Sequence, residues 1–218
     1  GDRVWVYNAQ WRRPFGTAAE YVCLPATFVK PLPAGTSFVE GACFGIPAMT
    51  GYHAAHIAGP LRGKTVYVPG ATGRVGAYAV QFAKWRGARV IASTGGGEKQ
   101  RAEIGALGAD VVLDRKAGNL GETIMQDTGG RGVDLIVEVD LPGNIAFDEG
   151  ILGERGSIVS FGAASTPSVA VTQTGRRARN MGLHFIFVYM LDEATFAATC
   201  EGINEMAGAG LLKHRIGG

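Results

Sequence analysis

Cysteine is scarce in this chain and never closely paired. Cys23, Cys43 and Cys200 lie far apart, with no CxxC among them. That pattern argues against a disulfide framework or a structural zinc. It fits buried small hydrophobes in a reducing compartment, and the expected location is cytoplasmic. An excess of one charge is also missing. A formal net charge of +2 over 218 residues is too small to argue for nucleic acid or an anionic membrane surface. No apolar run approaches the length of a membrane span and no signal peptide is visible, so no membrane partner is expected. Histidine is sparse as well. His53 and His56 are three apart on one expected helix, but no cysteine or carboxylate joins them at ligand spacing. A partly exposed helix pair is the plainer reading, and no metal is expected.

Apolar residues make up 46% of the chain and charged residues 18%, enough to build a substantial core and too little charge for a disordered chain. The 34 glycines punctuate periodic segments instead of forming a repeat, as suits an α/β protein with many tight strand–helix turns. The most informative stretch is Lys64 to Gly87, KTVYVPGATGRVGAYAVQFAKWRG. It opens on a β-branched and aromatic run, Thr65–Val68, with the composition of a buried parallel strand. The turn Gly70-Ala-Thr-Gly73-Arg-Val-Gly76 follows. Val75, Ala79, Val80, Phe82 and Ala83 then recur at helical spacing until Gly87. Strand, glycine turn and helix in that order are the context of a dinucleotide-binding fingerprint.

Along the chain, Arg3–Tyr7 and Ala18–Leu24 are expected as strands, with Pro14-Phe-Gly16 as turn chemistry between them. Ser37-Phe-Val-Glu40 has capping-box spacing, and a second helix is expected from Pro47 to Gly59-Pro60. After the glycine turn the alternation continues. Strands are expected at Arg89–Ser93, Val111–Leu113, Leu135–Val139, Ser157–Ser160 and Leu183–Val188. Helices are expected at Glu98–Leu107, Leu120–Gln126, near Ile145–Leu152 and at Asp192–Met206. Six strands alternating with helices predict an α/β fold, a Rossmann doubly wound six-stranded parallel sheet.

In the glycine turn, Gly73 would let the main chain approach a pyrophosphate and Gly76 would let helix and strand pack closely. The helix start at Arg74, Val75 and Gly76 offers free amides and a positive dipole end to that anion. Dinucleotide sites that take NAD place an acid at the end of the second strand. Here the run is Ala92-Ser-Thr-Gly-Gly-Gly97, with no acid before Glu98. Ser93 and Thr94 can donate to a phosphate, and Lys99 and Arg101 can supply charge. NADPH is the cofactor this favours, against an ordinary solvated helix face as the alternative use of Lys99 and Arg101. Arg176-Arg177-Ala-Arg179 could touch RNA, but it lacks interleaved aromatics. A solvated helix between two strands is the simpler expectation, so nucleic acid is not the expected partner.

Several segments together resemble one family: GDRVW at the start, GTAAEYVCL (16–24), GIPAMT (45–50), the glycine turn, GALGAD (105–110) and Ser160-Phe-Gly162. They are similar to medium-chain dehydrogenases/reductases, and within that superfamily to the zinc-independent NADPH:quinone oxidoreductases, the zeta-crystallin group. The resemblance spans essentially the whole chain. It implies that Thr50 touches the nicotinamide end and that Gly73, Arg74, Val75 and Gly76 hold the pyrophosphate. Lys99 would bind the adenosine 2′-phosphate. Ser160, Phe161 and Gly162 would line the nicotinamide ribose, and Val139 would be a further cofactor contact. Arg115 stands where such reductases carry a tyrosine beside the adenine, and a guanidinium can stack there or pair with the 2′-phosphate. Ile46 occupies the position of a cysteine ligand in zinc-dependent relatives.

By the same resemblance, residues 1–36 are expected to be part of a GroES-like catalytic domain, 37–210 the Rossmann domain and 211–218 a segment returning to the first. Family members have longer ends, so the chain is read as a fragment. The implied activity is hydride transfer from NADPH to a quinone or conjugated enone. Reduction of a 2-enoyl thioester is the near alternative, and an NADPH- or RNA-binding relative without turnover the distant one. Tyr52 is a candidate proton donor, with core packing as its other role. A homodimer joined through the apolar strand His184–Val188 is expected.

Overall fold

The computed structural model describes residues 1–162, 168–171 and 177–216. Near the amino terminus, β1 (Val4–Val6) and β2 (Val29–Pro31) form a small antiparallel pair in the register Val4↔Pro31. A short helix α1 (Phe38–Gly41) follows. It is started by the capping box anticipated above: the Ser37 hydroxyl accepts from the Glu40 amide, and the Glu40 carboxylate accepts from the Ser37 amide at 2.8 Å.

The large sheet comprises β3 (Thr65–Val68), β4 (Arg89–Thr94), β5 (Val111–Asp114), β6 (Val133–Glu138), β7 (Leu152–Ser160) and β8 (Gly182–Phe185). All its pairings are parallel, in the order β5-β4-β3-β6-β7-β8. Strand order reverses between β3 and β6, which places a crevice at the carboxyl ends of those two strands. Successive strand residues enter opposite cores, as the period of two demands. Val66, Val68, Val90, Ala92, Leu135 and Val137 pack into one core with α2 (Met49–Ala54), α3 (Arg74–Trp85) and α7 (Glu193–Gly208). Tyr67, Ile91, Ile136 and Ile158 pack into the other with α5 (Leu120–Asp127) and α6 (Leu141–Ile151). Because both faces are covered, the strands can be apolar throughout. Helix α4 (Glu98–Ala106) links β4 to β5. Asp110 closes that unit by accepting the Val90 amide and the Lys84 ammonium, which gives the acid of GALGAD a structural task.

Three expectations need correcting. Ala18–Leu24 forms no strand; β2 is the partner of β1. Residues 17–23 are exposed, Tyr21 at 91%, and an extended segment with no buried face gains nothing to hold it as a strand. The second helix is shorter than predicted. Phe44–Ala48 is a π-type turn containing Pro47 and a non-helical Gly45, and regular α-helix begins only at Met49. The last strand stops at Phe185, because the chain turns to bury Ile186 and Val188 and runs into a 3₁₀ turn at Val188–Met190.

The small sheet is not separate from the large one. Trp5 and Tyr7 are buried in the same core as α2, α3 and α7. The Tyr7 hydroxyl donates to the Val188 carbonyl, and Trp5 Nε1 donates to Asn204 on α7 at 3.0 Å. The chain end is also held. Gln81 on α3 accepts the Lys213 amide at 2.7 Å and donates to the Lys213 carbonyl at 3.0 Å, while Tyr78 and His214 share a 2.7 Å hydrogen bond. Gly217 and Gly218 of the expected return segment lie outside the described residues.

Candidate functional site

The glycine turn closes tightly. Gly70 has φ +62°, and its carbonyl accepts the Gly73 amide at 2.8 Å. Gly73 is the extended N-cap of α3 and supplies no side chain to it. The first intrahelical bond is donated by the Ala77 amide to the Gly73 carbonyl. The amides of Arg74, Val75 and Gly76 therefore have no partner within the helix and mark an anion site at its positive end. Gly76 is fixed by space. A Cβ there would lie 2.7 Å from the Gly70 carbonyl oxygen and 2.9 Å from the Ala71 Cα. At Gly73 the clearance to the same oxygen is 3.2 Å. Arg74 also lines a separate cleft with Cys43, Tyr78, Lys213 and Arg215.

Two clefts flank this turn. The first, of about 340 Å³, is lined by Thr50, Val75, Phe161, Gly162 and Ile46, together with Ile186–Tyr189. Thr50 is held by donating to the Ile46 carbonyl at 2.7 Å. Val139 stands between the two loops: Cβ atoms built on Gly70 and Gly162 would be 3.7 and 3.6 Å from its methyls. The structure thus brings together residues 50, 75, 139, 161 and 162, which are scattered in sequence. Ser160 ends β7 beside them, opposite Glu138. Tyr52 does not join them. Its ring stacks on His56 at 3.7 Å and presses on Gly202 of α7, where an added Cβ would overlap it. Its role is core packing, and as a proton donor it is misplaced. Sequence reasoning missed Phe187, which read only as a strand residue, and Tyr189, which lay between the expected strand and helix. It also missed Trp11, which stacks on Tyr189 with centroids 4.7 Å apart.

The second cleft, of about 430 Å³, runs from Tyr67 and Pro69 past Arg115 to Glu138, Asn144, Phe147 and Asp148. At its rim the expected phosphate contacts divide. Ser93 is fully buried, with its hydroxyl 2.7 Å from that of Tyr67. Thr94 is buried too: it accepts the Gly96 amide and donates to Gln100. Both hydroxyls are consumed in shaping the loop, which corrects their assignment as phosphate donors. Lys99 is exposed on the first turn of α4 and, among the described residues, makes no ion pair. Arg101 is spent on Asp114, at 4.0 Å, and on the Gly96 carbonyl. Arg115 is exposed, and its guanidinium and the Lys116 stem approach Gly95. Lys99, Arg115 and Lys116 therefore give the loop a cationic surround, with Lys116 an addition from the structure.

At the back of the second cleft Glu138 and Asp148 are both 0% exposed. Glu138 Oε1 accepts the Asp140 amide at 2.5 Å and the Asn144 amide group at 3.0 Å. Its Oε2 and both oxygens of Asp148 meet no donor among the described residues. Burial, and then the charge of Glu138, push the Asp148 carboxyl well above the usual range, so it holds its proton at neutral pH. Elsewhere, Arg179 donates to the Leu152 and Glu149 carbonyls at 3.0 Å each, which makes it a cap for α6 and not a free cation. Arg176 of the basic cluster lies outside the described residues.

Residues 75–201 match the zinc-binding dehydrogenase family. The chain belongs to that family. It is 28% identical to the quinone oxidoreductase of Homo sapiens over all 218 residues, and it spans 64% of that relative's length. Among solved structures it is similar to an NAD-dependent alcohol dehydrogenase (26% identity, TM-score 0.78, covering 91% of this chain and 56% of the other). It is also similar to a mycobacterial protein complexed with NADPH (25% identity, TM-score 0.76, covering 89% and 62%). Among the described residues no group of three or more His, Cys, Asp or Glu converges. His56 gives its Nδ1–H to the Tyr52 carbonyl at 2.7 Å, and burial pushes its pKa down to about 4. No helix among the described residues is long and apolar enough to cross a membrane.

Proposed function

We propose that this family member is an NADPH-dependent, zinc-independent oxidoreductase that reduces a quinone or a conjugated enone. The observation that carries the reading is the convergence of Thr50, Val75, Phe161 and Gly162 on one apolar cleft, with Val139 standing between Gly162 and Gly70 of the glycine turn. NADPH, when bound, supplies the hydride. The α3 amides hold the pyrophosphate. Thr50 and the Phe161-Gly162 turn orient the nicotinamide end, and Val139 fills the gap between the two loops. Aromatic and aliphatic walls exclude water from the acceptor. The cofactor choice rests on the rim, where no acid closes β4 and Lys99, Arg115 and Lys116 surround the loop. Among the described residues no charged side chain lines the first cleft, which suits a flat, neutral quinone better than an acyl thioester.

The two sheets support the division proposed from sequence: residues 1–36 as part of a GroES-like domain, 37–210 as the Rossmann domain and 211–218 as the return segment. Among the described residues β8 has a neighbour on one side only and exposes Phe185, with Phe187 and Met190 just beyond. That edge supports a homodimer; the cytoplasm is the location proposed for it. A second reading is cofactor binding without turnover.

Steady-state oxidation of NADPH with 9,10-phenanthrenequinone and with crotonyl-CoA separates these readings. Quinone turnover well above crotonyl-CoA turnover is expected. Preference for crotonyl-CoA would make the protein an enoyl reductase, and NADPH binding with neither turnover would leave it a binding protein.

A further inference from the structure

The loop that follows β1 is bent sharply around one side chain. Asn8 and Arg12 both have left-handed backbones, with φ of +61° and +57°, a conformation that asparagine tolerates and arginine does not favour. The Arg13 amide closes the turn by donating to the Gln10 carbonyl at 3.0 Å, and the Arg13 guanidinium donates to the Cys23 carbonyl at 3.2 Å. Backbone held outside its preferred regions points to function. Between the two left-handed residues stands Trp11. Its ring stacks on Tyr189 with centroids 4.7 Å apart and 28° between the planes, and it meets Phe187 edge-on at 5.3 Å. Tyr7, buried and tied to the Val188 carbonyl, also stacks on Tyr189, at 6.3 Å. Ile186 and Val188 turn into the core, while Phe187 and Tyr189 line the first cleft. These two rings lie 5.1 Å apart at 47°, so they form a corner, and Phe187 is 52% exposed.

We propose that Trp11 is a positioning residue for the acceptor. It fixes Tyr189 and Phe187 as an aromatic corner, and that corner selects flat acceptors of two or more fused rings over single-ring acceptors. The proposal rests on the reading above that the first cleft receives the acceptor. Trp11 does not itself line that cleft; it acts through the two rings that do. A single ring can lie against one of two centroids 5.1 Å apart. A fused system stacked on Phe187 reaches Tyr189 as well, and meets it with the tilt that aromatic pairs favour. Without an aromatic partner at position 11, the half-exposed Phe187 regains other rotamers. Ordering the corner then costs binding free energy each time an acceptor enters. An acceptor that uses only one of the rings loses little.

The test is steady-state kinetics at saturating NADPH, together with NADPH titration, on the intact protein and its Trp11→Leu and Trp11→Phe variants. The acceptors are 9,10-phenanthrenequinone, with fused rings, and duroquinone, with one. Taking their ratio within each protein and comparing it between proteins cancels their intrinsic reactivity. Trp11→Leu is expected to lower kcat/KM for phenanthrenequinone about tenfold, chiefly through KM, and for duroquinone by less than about twofold, with NADPH affinity unchanged. Trp11→Phe keeps a ring in the stack and is expected to lose no more than about threefold on phenanthrenequinone. The same bias in that milder variant carries the test if Trp11→Leu does not fold. Equal losses with both acceptors, or NADPH binding that falls in step with activity, would make Trp11 a structural residue only. That result would overturn the positioning role and leave the reductase reading intact, as would an acceptor ratio unchanged in both variants. Turnover of neither acceptor by the wild-type protein would overturn the reductase reading and the positioning role with it.

Discussion

Gly76→Val is expected to abolish measurable NADPH binding, a loss of about 100-fold or more. The cause is displacement of the anion site. With 2.7 Å from a Cβ to the Gly70 carbonyl and 2.9 Å to the Ala71 Cα, the first turn of α3 must move away from β3, and the amides of Arg74 and Val75 move with it. Both obstacles are backbone atoms, so no side-chain rotation relieves them. Overpacking of this kind costs roughly 1–3 kcal/mol of stability, or about 2–4 °C of Tm per kcal/mol for a chain of this size. Fluorescence titration on protein checked by thermal melting separates the two effects. Gly73→Ala is the graded comparison, because its 3.2 Å contact can be relieved by a shift of a few tenths of an ångström. It should bind more weakly than wild type and more tightly than Gly76→Val. Equal binding by all three proteins would mean that the turn does not carry the pyrophosphate.

Removing both cations of the β4–β5 rim should change which cofactor the protein prefers. Lys99 makes no ion pair among the described residues, and Arg115 stands exposed beside the loop. Neither is needed to hold the fold. Each charged hydrogen bond to a phosphate contributes about 1.5–3 kcal/mol. Lys99→Ala combined with Arg115→Ala is therefore expected to weaken NADPH about 100-fold and NADH by less than about threefold. Arg101→Ala is the instructive control. Its guanidinium is already committed to Asp114 and the Gly96 carbonyl, so its loss should disturb the loop and affect both cofactors alike. Parallel losses of NADPH and NADH in the double variant would remove the 2′-phosphate from this rim.

The contrast between Lys99 and Arg101 shows where the sequence was legible. Backbone chemistry read well: the glycine turn, the Ser37–Glu40 capping box and the alternation of strands and helices follow from local rules, and each stands in the structure as expected. Partnership read poorly. Nothing in Ala92-Ser-Thr reveals that both hydroxyls turn inward, toward Tyr67 and the loop amides. Tyr52 is placed by α7, a helix that begins about 140 residues further along the chain. The run His184–Val188 is apolar enough to read as one strand, but Ile186 and Val188 are drawn into the core that Tyr7 enters from the far end of the chain. Asp148 was invisible for the same reason. A single acid in an ordinary helix becomes notable only when the fold sets it against Glu138 with no donor in reach.

The most direct measurement is the pair of dissociation constants for NADPH and NADH on the unmodified protein, by fluorescence titration at physiological ionic strength. Two charged contacts at the rim predict NADPH tighter by about 100-fold. Equal affinity, or tighter binding of NADH, would contradict an NADPH-dependent reductase built on this glycine turn.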